Sequence, residues 1–116
     1  MASGTIKADI NYEKISASDA FTINTTNATL VDGLIESYGN MAIISLGITA
    51  KSTNASYLDL ATLKNYKASN DNVYFNVYDE TAKAMVEGGI MNGTTIRVYN
   101  TTANHTYRIY VPYIMR

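Results

Sequence analysis

The chain has 116 residues, a formal net charge of −1 and no cysteine. That length suits one domain with its own core, and without cysteine there is no disulfide or thiolate metal site. Charged residues make up 16% and form no basic block, so a phosphate-tracking surface is excluded, and no segment approaches the about 20 apolar residues of a membrane span.

Thr (14), Asn (12) and Tyr (10) are abundant, Pro occurs once and Trp never. Thr and Tyr favour pleated, half-buried positions, and Asn favours turns. The composition is that of an all-β domain with many tight turns.

Residues 1–18 are polar and read as an extended N-terminal arm or stalk-side segment, with residues 19–116 as the domain proper. The stretch MASGTIKADINYEKI has no hydrophobic signal core. Period-2 patterning then recurs. Ala20–Asn24 sets Phe21 and Ile23 on one face. Thr29–Glu36 is a second strand, with Gly33 marking a bulge. Ser37-Tyr38-Gly39-Asn40 is a turn signal. Met41–Ala50 follows, with Ala42, Ile44, Leu46 and Ile48 as the better core face. Lys51–Ser56 is a polar loop, and Tyr57–Leu63 alternates only weakly. Lys64–Asn72 (KNYKASNDN) is the most polar loop of the chain.

Val73–Asp79 is a strong strand, with Val73, Phe75 and Val77 inward. A turn leads to a strand over Ala84–Met91. Asn92-Gly93 is a hairpin signal, because both residues tolerate positive φ. The partner strand, Thr94–Asn100, faces Ile96 and Val98 inward. After a loop over Thr101–His105, the last strand lines up Tyr107, Ile109, Val111, Tyr113 and Met115 on one face. Pro112 lacks a donor and argues for an edge or a bulge there. About eight short strands at this spacing predict an antiparallel β-sandwich or jelly roll.

Catalytic parts are scarce. His105 is the single histidine, and no GxSxG motif occurs. Acidic residues do not group at metal-ligand spacing, and Asp79-Glu80 suits a strand-end turn better than a calcium site. Gly88-Gly89 precedes a hairpin rather than a helix, so it is no dinucleotide fingerprint. No catalytic residue, metal ligand or cofactor is predicted. Six Asn residues stand in N-x-S/T (Asn24, Asn27, Asn54, Asn92, Asn100 and Asn104). They follow from Asn-rich turns that lead into Thr-rich strands, and glycosylation is not expected.

The outward tyrosines are the remaining signal. Tyr38, Tyr57, Tyr66, Tyr74, Tyr78, Tyr99 and Tyr110 cannot all fit one interior. Two readings stand: cover for the sheet, or an interface of the kind in which rings stack on saccharides while Asn and Asp take the hydroxyls.

From Tyr57 onward, YLDLATLKNYKA, NVYFNVYD, EGGIMNGTTIRVYN and HTYRIYVPYIMR occur in an order that resembles the C-terminal head domain of bacteriophage tail fibres and receptor-binding proteins. Leu63, Tyr66, Gly89, Ile90, Asn92-Gly93, Ile96, Val98, Tyr107, Ile109 and Tyr113 fall on that family's anchors. Earlier, ESYGNMAIISLGITA resembles its strand after the first hairpin turn. The resemblance spans roughly residues 28–116. Lys64 and Lys67-Ala68 stand where the family has proline. The resemblance implies a compact β-sandwich, usually a homotrimer, that sits on a virion and binds a host-surface saccharide or protein; the scattered charge and short apolar stretches separately predict no nucleic-acid partner and no membrane insertion.

The expected function is therefore non-enzymatic adhesion to host glycan, in a virion (phage tail) or extracellular setting. A structural virion or baseplate module and a bacterial secreted carbohydrate-binding module are the alternatives. Because loops on a rigid scaffold carry function, the candidate ligand-binding residues are Tyr66, Asn70, Asp71, Asn72, Asn104 and His105.

Overall fold

A computed structural model describes residues 12–116. Over these described residues, to which the elements below refer, the chain is all-β and antiparallel. Nine strands and one short helix follow in order: β1 Tyr12–Ser16, α1 Ala17–Ala20, β2 Phe21–Ile23, β3 Ala28–Tyr38, β4 Met41–Ala50, β5 Asn54–Leu63, β6 Asn72–Asp79, β7 Ala84–Met91, β8 Thr95–Thr101 and β9 Thr106–Ile114. They form one hydrogen-bonded sheet in the order β1-β3-β4-β9-β6-β7-β8-β5-β2, curled into a half-barrel. The two layers expected of a sandwich are thus one continuous sheet.

The chain's connections force the curl. β1 and β2 lie at opposite edges of the sheet, yet only Ala17–Ala20 separate them. Four residues span at most about 14 Å fully extended. A flat sheet of nine strands at about 4.8 Å spacing would hold its edges nearly 40 Å apart. The edges must therefore turn toward each other. Phe21 of β2 reaches across to Gly33 of β3, where a Cβ would lie 2.9 Å from Leu46 Cδ1 and 3.4 Å from the Phe21 ring. Gly33 makes room first for the Leu46 side chain, and the Phe21 ring packs beside it. The bulge expected there falls two residues earlier, at Val31, between the pairs Leu30↔Ile48 and Asp32↔Gly47.

Of the segment expected as an arm, residues 12–16 are β1, paired with β3 from Tyr12↔Tyr38 to Ser16↔Leu34. Residues 1–11 lie outside the described residues. β1 buries only Ile15, so it carried almost no periodic signal.

The core runs along the concave side. Ala42, Ile44, Leu46 and Ile48 of β4 face Tyr113, Val111, Ile109 and Tyr107 of β9 across the ladder, and all are buried. Val77, Ile90, Ile96, Val98, Leu58, Leu60, Leu63 and Phe21 continue this single cluster. Met115, expected as the fifth inward residue of the last strand, lies just past β9 and is half-buried against the core.

Tyr57–Leu63 alternates weakly because β5 carries a bulge: Asp59 pairs with Arg97 and Ala61 with Ile96, so Leu60 is extra and both Leu60 and Ala61 are buried. A second register shift follows Asn54. The strand therefore starts at Asn54, inside the stretch expected as a loop.

The tight turns match their residues. Tyr38 pairs with Met41 across a two-residue turn whose first residue, Gly39, has φ 62°, where a II′ turn needs glycine. Asn92 and Gly93 both have positive φ between Met91 and its partner Thr95. Pro112 sits on a strand interior to the sheet, paired with Ile43. β6 pairs with β9 only at Tyr78↔Arg108 and Asp79↔Tyr107, then leaves it. The Ile114 carbonyl, two residues on and pointing the same way as the Pro112 nitrogen, bonds loop residue Ser69 instead. Locally, Pro112 faces an edge, which removes the need for its missing N–H.

Candidate functional site

The six candidate loop residues do not converge. Tyr66, Asn70, Asp71 and Asn72 lie beside the end of β9, where Ser69 N–H donates to Ile114 O (2.8 Å) and Arg116 N–H to Lys67 O (2.9 Å). Asn104 and His105 lie just before its start. The nine residues of β9 separate the two groups, about 27 Å at about 3.4 Å per residue.

The first group is bound up in structure. Tyr113 OH donates to Tyr66 O at 2.6 Å, and burial raises the Tyr113 hydroxyl well above its usual pKa. Gly93 N–H donates to Asp71 O (2.7 Å), Ala68 N–H to Gly93 O (2.9 Å) and Asn92 N–H to Asn72 Oδ1 (3.2 Å). These bonds tie the 64–71 loop to the β7–β8 turn. The side chains of Asn70 and Asp71 are exposed.

At the other end, His105 Nδ1 lies 2.8 Å from Asp79 Oδ2, and Ala82 N–H donates to Asp79 Oδ1 at 3.0 Å. Asp79 is 4% exposed. Burial pushes its carboxyl up, but the hydrogen bonds from His105 and Ala82 outweigh it and hold the carboxyl below its usual value. Ionised Asp79 makes His105 Nδ1 the donor. Thr81 Oγ1 accepts from Thr106 N–H (3.0 Å), and the buried Tyr107 hydroxyl accepts from Thr102 N–H (2.8 Å). The hydroxyls beside the Asp–His pair are thus used as acceptors for backbone, and the arrangement is that of a clamp on two turns. Among the described residues no three His, Cys, Asp or Glu side chains group as metal ligands.

The outward tyrosines sort differently. Six of the ten are exposed, namely Tyr12, Tyr38, Tyr57, Tyr74, Tyr78 and Tyr110. All six stand on strands and none on a loop. Tyr66 and Tyr99 are half-buried.

They fall on two halves of the convex face. On β5 and β8, Arg97 lies 3.7 Å over the Tyr57 ring, and Tyr57 meets Tyr99 edge-on at 6.2 Å. Arg97 Nε donates to Asp59 Oδ1 at 2.7 Å, from the directly opposite position of the ladder. That bond, against a smaller desolvation cost, raises the guanidinium pKa. Tyr74 and Tyr78 stand on β6 beyond it. The cluster Tyr57–Asp59–Arg97–Tyr99 was not legible beforehand, because β5 and β8 are far apart in the chain and their register is shifted by bulges.

On β1, β3, β4 and β9 the exposed tyrosines are Tyr12, Tyr38 and Tyr110. The Tyr12 and Tyr38 rings are 4.9 Å apart, and Tyr12 OH donates to Glu36 Oε2 at 2.9 Å. At the far end of this half, Arg108 bridges Asp32 (Nη1 to Oδ1, 2.9 Å) and Glu80 (Nε to Oε1, 2.9 Å). Its guanidinium lies over Gly47, where a Cβ would collide with Nη1.

No helix among the described residues is long and apolar enough to cross a membrane. Comparison with protein-family profiles, characterised proteins and solved structures gives no match.

Proposed function

We propose that this chain is a non-enzymatic adhesion domain, the receptor-binding head of a bacteriophage tail fibre, which recognises host cell-surface saccharide as a homo-oligomer on the virion. The carrying observation is that every exposed tyrosine among the described residues stands on a rigid strand. Tyrosine has two side-chain torsions and an amphipathic ring, so it presents recognition surface at low entropic cost.

The face of β5 and β8 suits a saccharide best. The Tyr57 ring offers a stacking plane backed by Arg97, and Asp59 is fixed beside it with carboxylate oxygens able to accept hydroxyls. Tyr74, Tyr78 and Met85 extend the exposed surface. The receptor thus engages the sheet face in this reading, with the 64–71 loop and the 102–105 turn at its margins.

The test is binding of the labelled chain to a glycan array and to candidate host cells. Wild type binds, and Tyr57→Ala and Arg97→Ala each weaken binding about tenfold or more, the equivalent of about 1.4 kcal/mol. A wild-type chain that binds neither glycan nor cell overturns the adhesion reading. Full binding by both variants, with loss on Asp71→Ala or His105→Ala, moves the site back to the loops.

A further inference from the structure

We infer that the saccharide taken by β5, β6, β7 and β8 is an uncharged one, seated over Gly89, and that this face turns acidic glycans away. The inference rests on the adhesion reading above and names the ligand class of the same face.

One row of the ladder crosses all four strands. Tyr74 pairs with Gly89, Gly89 with Arg97, and Arg97 with Asp59. Gly89 puts no side chain on this row. A Cβ there would collide with Met91 Cε and lie 3.4 Å from Tyr74 Cδ1. The buried Met91 thioether therefore forms the floor. Tyr74, 58% exposed, stands at one end of the row, and the Arg97–Tyr57 stack stands toward the other. Two strand spacings, about 10 Å, separate the Tyr74 and Arg97 backbones. The row is low in the middle with an aromatic ring on either side, a seat for the apolar face of one sugar ring. Asn76 and Glu87 pair across β6 and β7 two residues away, on the same face and exposed. The Tyr99 hydroxyl reaches in to Met91 Sδ at 3.8 Å.

The charge on this face decides between saccharides. The four strands carry four charged side chains, Asp59, Asp79, Glu87 and Arg97. Asp79 is buried in its clamp with His105. Asp59 and Glu87 against Arg97 leave the face at −1. Its one cation is already engaged: Arg97 Nε and Nη2 donate to the Asp59 carboxylate at 2.7 and 3.4 Å, and the guanidinium lies over the Tyr57 ring. Lys64, Lys67, Lys83 and Arg116 stand off the face, in the 64–71 loop, the 80–83 turn and the residue after Met115. A sugar carboxylate, sulfate or phosphate would meet no free fork of donors and would lie beside Asp59 and Glu87. A neutral sugar asks only for what is present: carboxylate oxygens that accept hydroxyls, an Asn76 amide that does both, and rings for its apolar face.

A glycan array sorted into neutral and acidic members tests this with the whole chain. The strongest neutral hit and its C6-carboxyl counterpart are then titrated across about 0.05–0.5 M salt. Wild type is expected to bind the neutral member about tenfold or more tighter, with little change over the salt series. Tyr74→Ala, at an exposed position, should weaken that binding about tenfold. Glu87→Lys brings the face to +1 and should gain acidic members. Circular dichroism checks both folds. An acidic member as the strongest hit, neutral binding untouched by Tyr74→Ala, or no acidic gain in Glu87→Lys overturns the inference. The same samples are applied to host cells. A chain that binds cells or acidic glycans but no neutral one refutes the seat and leaves adhesion standing. A chain that binds neither glycan nor cell removes both.

Discussion

His105 and Asp79 hold two turns together at one end of the sheet, with Nδ1 and Oδ2 2.8 Å apart and the carboxylate almost fully buried. One oxygen serves the turn after β6 through Ala82, and the other serves the turn before β9 through His105. A carboxylate satisfied from both sides is costly to disturb on either.

The pH response follows from the depressed Asp79 carboxyl. In the unfolded chain it titrates near pH ~3.9. Its contribution to stability is whole above about that pH and is lost as pH falls through the lower folded value. Asp79→Asn is expected to cost about 1–3 kcal/mol at neutral pH, and the gap from wild type should narrow at about pH 3. Urea unfolding at both pH values measures it. A gap of equal size at both would remove the charged pair from the account.

Gly47 and Arg108 are expected to be coupled. In Gly47→Ala the new methyl displaces the end of a flexible side chain. The loss is an exposed ion pair with Asp32, below about 1 kcal/mol. In an Arg108→Ala background only the exposed Asp32 carboxylate, 2.9 Å from the new Cβ, has to move, so the same change should cost less. A double-mutant cycle reads this directly, and additive costs would rule out the steric explanation.

Gly88→Ala should be worse for the opposite reason. Its Cβ would lie 2.6 Å from Val77 Cγ2 and 2.9 Å from the Arg97 carbonyl oxygen, inside the core and against backbone. Overpacking of that kind costs about 1–3 kcal/mol. A urea midpoint for Gly88→Ala no lower than that of Gly47→Ala would contradict the packing described for β6, β7 and β8.

Tyr113→Phe is expected to loosen the 64–71 loop rather than the core. The ring stays, while the bond to the Tyr66 carbonyl is lost. The cost is about 1 kcal/mol. Hydrogen exchange at Ala68 and Ser69 should speed up while Ile44 and Ile109 keep their protection. Uniform loss of protection would place Tyr113 in the global core instead.

What the sequence made legible was local. Met41–Ala50 and Ala84–Met91 are strands at their predicted bounds, because period 2 and flanking turn residues are short-range signals. β1 was hidden, since its only apolar anchor is Ile15. Gly33 was misread because its neighbours are tertiary: Leu46 stands opposite it on β4, and Phe21 arrives from the far edge of the sheet. The candidate site suffered in the same way. Loop polarity drew attention to Asn70–Asn72 and Asn104-His105, but nothing local says that β9 lies between them. Likewise, Asp59 and Arg97 become partners only through a β5–β8 register that bulges shift.

The position of β9 has a consequence for how this molecule is made. Up to Thr101 the chain can pair β1-β3-β4 and, separately, β6-β7-β8-β5-β2. In the sheet β9 bridges them, and it follows the other eight described strands in chain order. Until it arrives, two half-sheets wait with open edges, one of them the strongly apolar β4, and unpaired apolar edges invite pairing with the wrong chain. β9 therefore acts as a keystone. Removing it should leave not a smaller domain but two unfinished ones, recognisable by aggregation during expression.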